Sequence, residues 1–243
     1  MSTATGLKVL AIDTSTEACS AAVLLADGRL ISRFVLTERS HADLILPMVD
    51  EVLREAGLKL RELDGLAFGR GPGGFTGLRI AAGVIQGLAF GGGLKVAPVS
   101  SLAAVAYQVV TSPAEAGEGV LVCNDARMNE LYWACYRFDP SAPATPIELA
   151  PERVSPCADI HVPAGIVHVA GNGIERYPEL QTRLEAAGMQ FHPGLYPHAA
   201  AIARMGAAML ERGEGVDAAE ALPTYVRDNV ARPSGNAPVT GMS

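Results

Sequence analysis

The chain has 243 residues, 49% of them hydrophobic, with 26 acidic against 19 basic side chains and a formal net charge of −7. That length holds one large domain or two small ones, at roughly 150 residues per domain, and the apolar content excludes a mostly disordered chain. The acidic balance speaks against strong stand-alone nucleic-acid binding, which depends on neutralising phosphates.

In chain order, LKVLAID (7–13) reads as a buried strand ending at Asp13. The next segment reads as two strands joined by Asp27-Gly28, a type I′ hairpin signal. Ser40 and Asp43 have the spacing of a capping box opening a helix from His41 to about Ala56, kinked at Pro47 and ended by Gly57. DGLAFGRG predicts a strand, FTGLRIAAGVIQGLAF a helix and LKVAPVS a further strand. From Ser101 a helix leads into two strands around a polar turn at Asn124–Asn129. PSAPATP reads as a loop, GIVHVAGNG as a strand, and helices are expected near Glu179–Ala187 and Ala199–Arg212. The residues after Arg232 are Pro, Gly and Ser rich and predict a disordered tail.

Cys19, Cys123, Cys135 and Cys157 form no CxxC pair, and the start MSTATGLKVLAIDTS lacks the basic-then-apolar order of a secretory leader. Reduced thiols and a cytoplasmic location are expected. The uncharged run between Arg79 and Lys95 is too short and glycine rich for a membrane helix of ~20 residues.

GRGPGG (69–74) lies between a strand and a helix, where a glycine loop commonly holds phosphate. A dinucleotide site also needs an acidic residue about 20 positions on, and none lies between Asp64 and Glu115. A Walker A loop needs Lys-Ser/Thr, whereas Phe75 and Thr76 follow Gly74. Two readings stay open, a bare turn and a loop of exposed amides near a ligand. The second candidate phosphate site is AIDTSTEACSAAV, where Asp13 ends a strand and a Thr14-Ser15-Thr16 turn stands in place of glycines. Asp13 as a simple turn former is the alternative. His41, His161, His168, His192 and His198 are never four apart, so HxxxH is absent, and no GxSxG occurs. Asp125 and Arg127 read as a turn ion pair or a functional pair, and Tyr225 and Arg227 as residues pinning the tail.

The helix over 76–90 has Ile80, Val84 and Leu88 at helical spacing, which predicts packing on the sheet. Ala82, Gly83, Gln86, Ala89 and Phe90 would then lie on the opposite face, with Arg79 at its start. A surface helix normally carries charge there. The helix over 41–56, with His41, Leu44 and Met48, also has a broad apolar arc. Together the two predict a helix–helix contact with another subunit; burial under the chain's own second half is the alternative.

VLAIDTS (9–15), HADLILPMVDEVL (41–53), GPGGFTGLRIA (71–81), SL (101–102), DARMNELYWACY (125–136) and PTYVR (223–227) occur in this order over nearly the whole chain. Together they resemble the TsaB family of bacterial tRNA threonylcarbamoyladenosine biosynthesis. Gly74 departs from that family's usual Ser. The resemblance implies an α/β fold of the actin-like ATPase (acetate kinase, sugar kinase, Hsp70) class, with two related lobes, each a mixed sheet flanked by helices. The lobes would span 1–104, completed by the helix near 199–212, and 105–198, before a disordered 230–243. It also implies a non-catalytic subunit that binds and activates the paralogue TsaD, with TsaE as associated ATPase and TsaC as pathway partner. Such a subunit meets tRNA only through the complex, with Arg70, Arg79 and Lys95 as added contacts, and pairs with itself through the same helices when free. It holds no cofactor of its own, ATP or ADP and metal belonging to the complex; an active actin-fold ATPase or phosphotransferase using Asp13 and Gly71–Gly74 is the alternative, and a metallopeptidase, which the absent HxxxH opposes, the third. Asp13, Thr14, Gly71, Gly73, Gly74 and Arg79 would lie closest to any nucleotide.

Overall fold

The computed structural model describes residues 6–37, 40–109 and 117–227; the expected disordered tail at 230–243 lies outside the described residues. The first lobe runs β1 (Val9–Asp13), β2 (Ala18–Leu24), β3 (Leu30–Leu36), α1 (His41–Ala56), β4 (Gly65–Gly71), α2 (Phe75–Gly92) and β5 (Val96–Ser100). After α3 (Ser101–Val109), the second lobe runs β6 (Gly119–Asp125), β7 (Leu131–Asp139), β8 (Ala142–Ser155), β9 (Ile166–Gly171), α4 (Pro178–Ala186) and β10 (Gln190–Pro193). The helix α5 (Ala199–Glu211) follows.

The two sheets have one topology. The first is ordered β3-β2-β1-β4-β5 and the second β8-β7-β6-β9-β10. In each, a central strand pairs antiparallel with the next strand in sequence and parallel with the one reached by crossover. This is the two-lobe, actin-like arrangement expected above. The repeat is unequal: the first crossover carries the 16-residue α1, whereas the equivalent β8–β9 connection has only a single 3₁₀ turn at Cys157–Asp159.

Every residue of β1 and β2 is buried, because helices cover both faces of their sheet and the strands read as continuous apolar runs. Leu10, Ile12, Leu66 and Phe68 point outward under α1 and α2. Val9, Ala11, Ala67 and Ala97 point inward into a core shared with α3, α5 and the second sheet's Val120, Val122 and Ala134. Helix α5 packs on β1, β2, β4 and β5, while α3 packs on β6 and β7. Each sheet is thus sealed on its inner face by the helix that follows the last strand of the other lobe.

Several local expectations are corrected. The first hairpin is present, but Gly28 alone has a positive φ (85°), its N–H donating to Leu25 O at 2.9 Å. A type I′ turn needs two such residues; this is a three-residue loop closed by a left-handed glycine. Ser40 makes no side-chain cap, so the capping box does not form, and α1 continues through Pro47. PSAPATP is not wholly loop: β8 begins at Ala142. Its prolines suit an edge strand, where a missing N–H faces no neighbour. The short edge strand β10 carries Gln190 and Pro193 and gave no periodic signal.

Candidate functional site: the interlobe cleft and the outer face of the second helix

The ends of β1, β4 and β6 meet at a cleft of about 460 Å3 between the lobes. It is lined by Thr14–Glu17, His41, Gly73–Gly77, Ile80, Asp125–Arg127 and Tyr132. On the floor of the first lobe, Asp13 is fully buried. Its Oδ1 accepts from Ser15 N (2.9 Å) and Ser15 Oγ (2.8 Å), and its Oδ2 accepts from Ser101 Oγ (3.2 Å). Burial pushes its carboxyl up to about 6, against the lowering pull of the Ser15 and Ser101 hydrogen bonds. Gly69 is required beside it, since a Cβ there would collide with Asp13 Oδ2.

The glycine loop is folded directly onto the Thr14–Ser15 turn. Gly74 N–H donates to Ser15 O at 2.7 Å, and Thr14 Oγ1 donates to Gly77 O at 2.8 Å. A Cβ on Gly73 would strike Ser15 O, and one on Gly77 would strike Thr14 O. These glycines serve close backbone approach within the chain. Of the residues named as closest to a nucleotide, Thr14, Gly73 and Gly74 line the cleft; Asp13, Gly71 and Arg79 do not. Among the described residues, no three His, Cys, Asp or Glu side chains converge as a metal site.

Across the cleft, the β6–β7 turn holds Arg127, Met128 and Asn129 at φ of 62°, 55° and 59°, an uncommon conformation for non-glycine residues. Asp125 makes its nearer ion pair with Arg176 (3.3 Å) and only a loose one with Arg127 (3.8 Å), so the sequence-adjacent pair is the weaker. The segment 221–227 then crosses the mouth. Tyr225 packs on Phe75 with centroids 5.4 Å apart, and its hydroxyl accepts from Arg79 Nε at 3.2 Å. Arg227 donates to Ala126 O at 3.2 Å and pairs with Glu130.

The faces of α2 are rotated from the sequence expectation. Leu78, Ala81, Ala82, Ile85 and Ala89 are the buried positions, the three alanines letting the helix lie close on the sheet. Ile80, Val84 and Leu88 are half-buried flanks. Of the expected interface residues, Arg79, Gly83 and Phe90 are exposed, Phe90 by 87%. Ala82 and Ala89 are core. Gln86 is tied to Ala221 O at 3.1 Å. His41 is buried beside the cleft with Nε2 unpartnered, and Leu44 and Met48 are half-buried against the first-lobe core. The buried stripe sets three alanines beside Leu78 and Ile85, and the bulky Ile80, Val84 and Leu88 flank it.

Sequence reasoning missed Gly87 and Gly91. With Gly83 they stand four apart along the exposed face, and a Cβ on any of the three would meet nothing within 4 Å. Each glycine costs about 1 kcal/mol of helix stability relative to alanine, and nothing among the described residues requires it. The i, i+4, i+8 spacing was a readable signal. The expected basic set is partly neutralised: Arg70 pairs with Glu152 at 3.0 Å and Lys95 with Asp217 at 2.8 Å.

Comparison with known proteins agrees with this architecture. The family model described as TsaD, tRNA N6-adenosine threonylcarbamoyltransferase, matches residues 35–168. The tRNA threonylcarbamoyladenosine biosynthesis protein TsaB of Escherichia coli (strain K12) is 37% identical over 231 residues, covering 93% of this chain and 96% of that protein. TsaB of Haemophilus influenzae is 51% identical over 128 residues, 53% of each chain. The solved structure of YeaZ from Pseudomonas aeruginosa is 39% identical, with a TM-score of 0.77 over 90% of this chain and 99% of that one. Identity is sustained across nearly the full length of both chains and the fold is shared, so this chain belongs to the TsaB family of tRNA threonylcarbamoyladenosine biosynthesis proteins.

Proposed function

We propose that this chain is a non-catalytic subunit of the complex that forms threonylcarbamoyladenosine beside the anticodon of tRNAs reading ANN codons. Its role is to dock and activate the TsaD paralogue through the outer faces of α1 and α2. The observation that carries this reading is the exposed stripe Gly83, Gly87 and Gly91 beside Phe90, glycines with no packing role among the described residues. Small residues at that spacing let a second helix approach closely, and an 87% exposed Phe supplies an apolar anchor. In the absence of TsaD the same face pairs two copies of this chain. TsaE and TsaC act in the same pathway, tRNA is met only through the complex, and the protein works in the cytoplasm.

The non-catalytic part of the reading is supported by the cleft. Both oxygens of Asp13 are engaged by Ser15 and Ser101, and the amide of Gly74 is taken by Ser15 O. A nucleotide phosphate would find those donors already committed, which supports the reading that ATP or ADP and metal belong to the partners. The test is size-exclusion chromatography with TsaD from the same organism. Native protein should co-elute, and Gly83→Trp, whose side chain enters open space in the free chain, should not, while melting as the native protein does. Co-elution of Gly83→Trp at native affinity would move the interface elsewhere, and ATP turnover lost in Asp13→Ala would restore an active ATPase.

A further inference from the structure

Resting on that docking reading, we propose that the segment Ala221–Arg227 is a strap that transmits events on α2 to the β6–β7 turn on the far wall of the cleft. The strap is fastened at both ends. On the first lobe, Ala221 O accepts from Gln86 Nε2 (3.1 Å), and Thr224 N–H donates to Arg70 O (2.7 Å) at the end of β4. Tyr225 packs at a tilt on Phe75, and the Arg79 guanidinium lies 3.9 Å from the centre of the same Phe75 ring while bonding the Tyr225 hydroxyl. On the second lobe, Arg227 holds Ala126 O, Glu130 and the Met128 sulfur.

Two features make this a coupling and not merely a tether. First, the anchor at the α2 end is itself on the surface: Phe75 is 40% and Tyr225 41% exposed. Arg79 is one helical turn before Gly83, so a helix seated on the glycine stripe meets the Phe75–Arg79–Tyr225 cluster. Second, the far end grips a backbone that needs holding. Arg127, Met128 and Asn129 are consecutive left-handed residues without a glycine, a conformation that persists where surrounding contacts determine it. The turn's internal bonds are few: Ala126 N–H to Glu130 O, Glu130 N–H to Arg127 O, and Arg127 N–H to Asp125 Oδ1. Arg227 bonds two of the residues that those bonds connect. Loss of its grip leaves the turn to relax toward conformations that non-glycine residues favour.

The three bonded amides of the turn report directly on this through hydrogen exchange in the full-length protein. Arg227→Ala should exchange at 126–130 on the order of tenfold faster than native protein, with the melting temperature unchanged. Arg227→Lys, which keeps the charge beside Glu130 and loses the second contact to Ala126 O, should fall between. Addition of TsaD should slow exchange at the turn in native protein but not in Arg227→Ala. Native exchange at the turn in both variants, or equal protection by TsaD in native and Arg227→Ala protein, overturns the strap. If TsaD fails to bind native protein, the docking reading falls instead, and the strap is then judged on the free-protein exchange alone.

Discussion

Thr14 and Gly77 are joined by a single hydrogen bond, Oγ1 to carbonyl at 2.8 Å, across a contact so close that a Cβ on Gly77 would run into the Thr14 carbonyl. The first turn of α2 is therefore laid against the β1–β2 turn with no room for a side chain. Gly77→Ala is expected to destabilise the protein by about 3 kcal/mol or more, as overpacking against backbone does at its upper end. Thermal melting of the variant beside native protein checks it, and a melting temperature within 2 °C or so of native would contradict the contact.

Gly74 behaves differently. It is the N-cap of α2, with φ −64° and ψ 126°, and an added Cβ lies 3.6 Å from Ser15 O, an ordinary contact. Gly74→Ser, the residue usual in the family, supplies a hydroxyl to the free amides of the first turn. Stability should rise by a few tenths of a kcal/mol. A drop in melting temperature would mean that the loop does not tolerate a side chain there.

The rotated faces of α2 predict opposite outcomes for neighbouring substitutions. Ala82→Glu puts a carboxylate into the core under the helix, with a cost of several kcal/mol, and should unfold the protein or lower its melting temperature steeply. Gly87→Ala enters open space and should stabilise the free chain by about 1 kcal/mol. Circular dichroism melts of both variants decide it. The phase assigned to α2 is wrong if Ala82→Glu melts like the native protein.

Asp13 carries a pH signature. Its carboxyl is raised from 3.8 to about 6 by burial, so the folded state favours the protonated form more than the unfolded state does. Its contribution is fully present below the unfolded value near 4 and is lost as pH rises through about 6. A rise of two units corresponds to about 3 kcal/mol. Asp13→Asn keeps an acceptor for Ser15 and removes the charge. The difference in stability between native and Asp13→Asn should shift in favour of the variant as pH goes from 4 to 7. A constant difference over that range would show that Asp13 does not titrate there.

The order of strands and helices in the first lobe was legible because its strands are continuous apolar runs and its helices end at glycines, Gly57 and Gly93, in the left-handed conformation. The second lobe was less so. Edge strands β8 and β10 pair on one side only, tolerate Pro143, Pro146, Pro151 and Pro193, and carry little alternation.

By itself the sequence determined the order of the first lobe's strands and helices and the family, since hydrophobic runs, glycine positions and motif order are written along the chain. Tertiary structure alone decided which glycines serve the inside and which the outside. Gly73 and Gly77 face the backbone of residues about 60 positions earlier, whereas Gly83, Gly87 and Gly91 face open space. It also decided that Ala82 is core and Gly83 is surface. Adjacent residues on a helix point about 100° apart, so which of the two is buried depends on where the sheet lies. The position of that sheet is set by pairings between segments far apart in the chain.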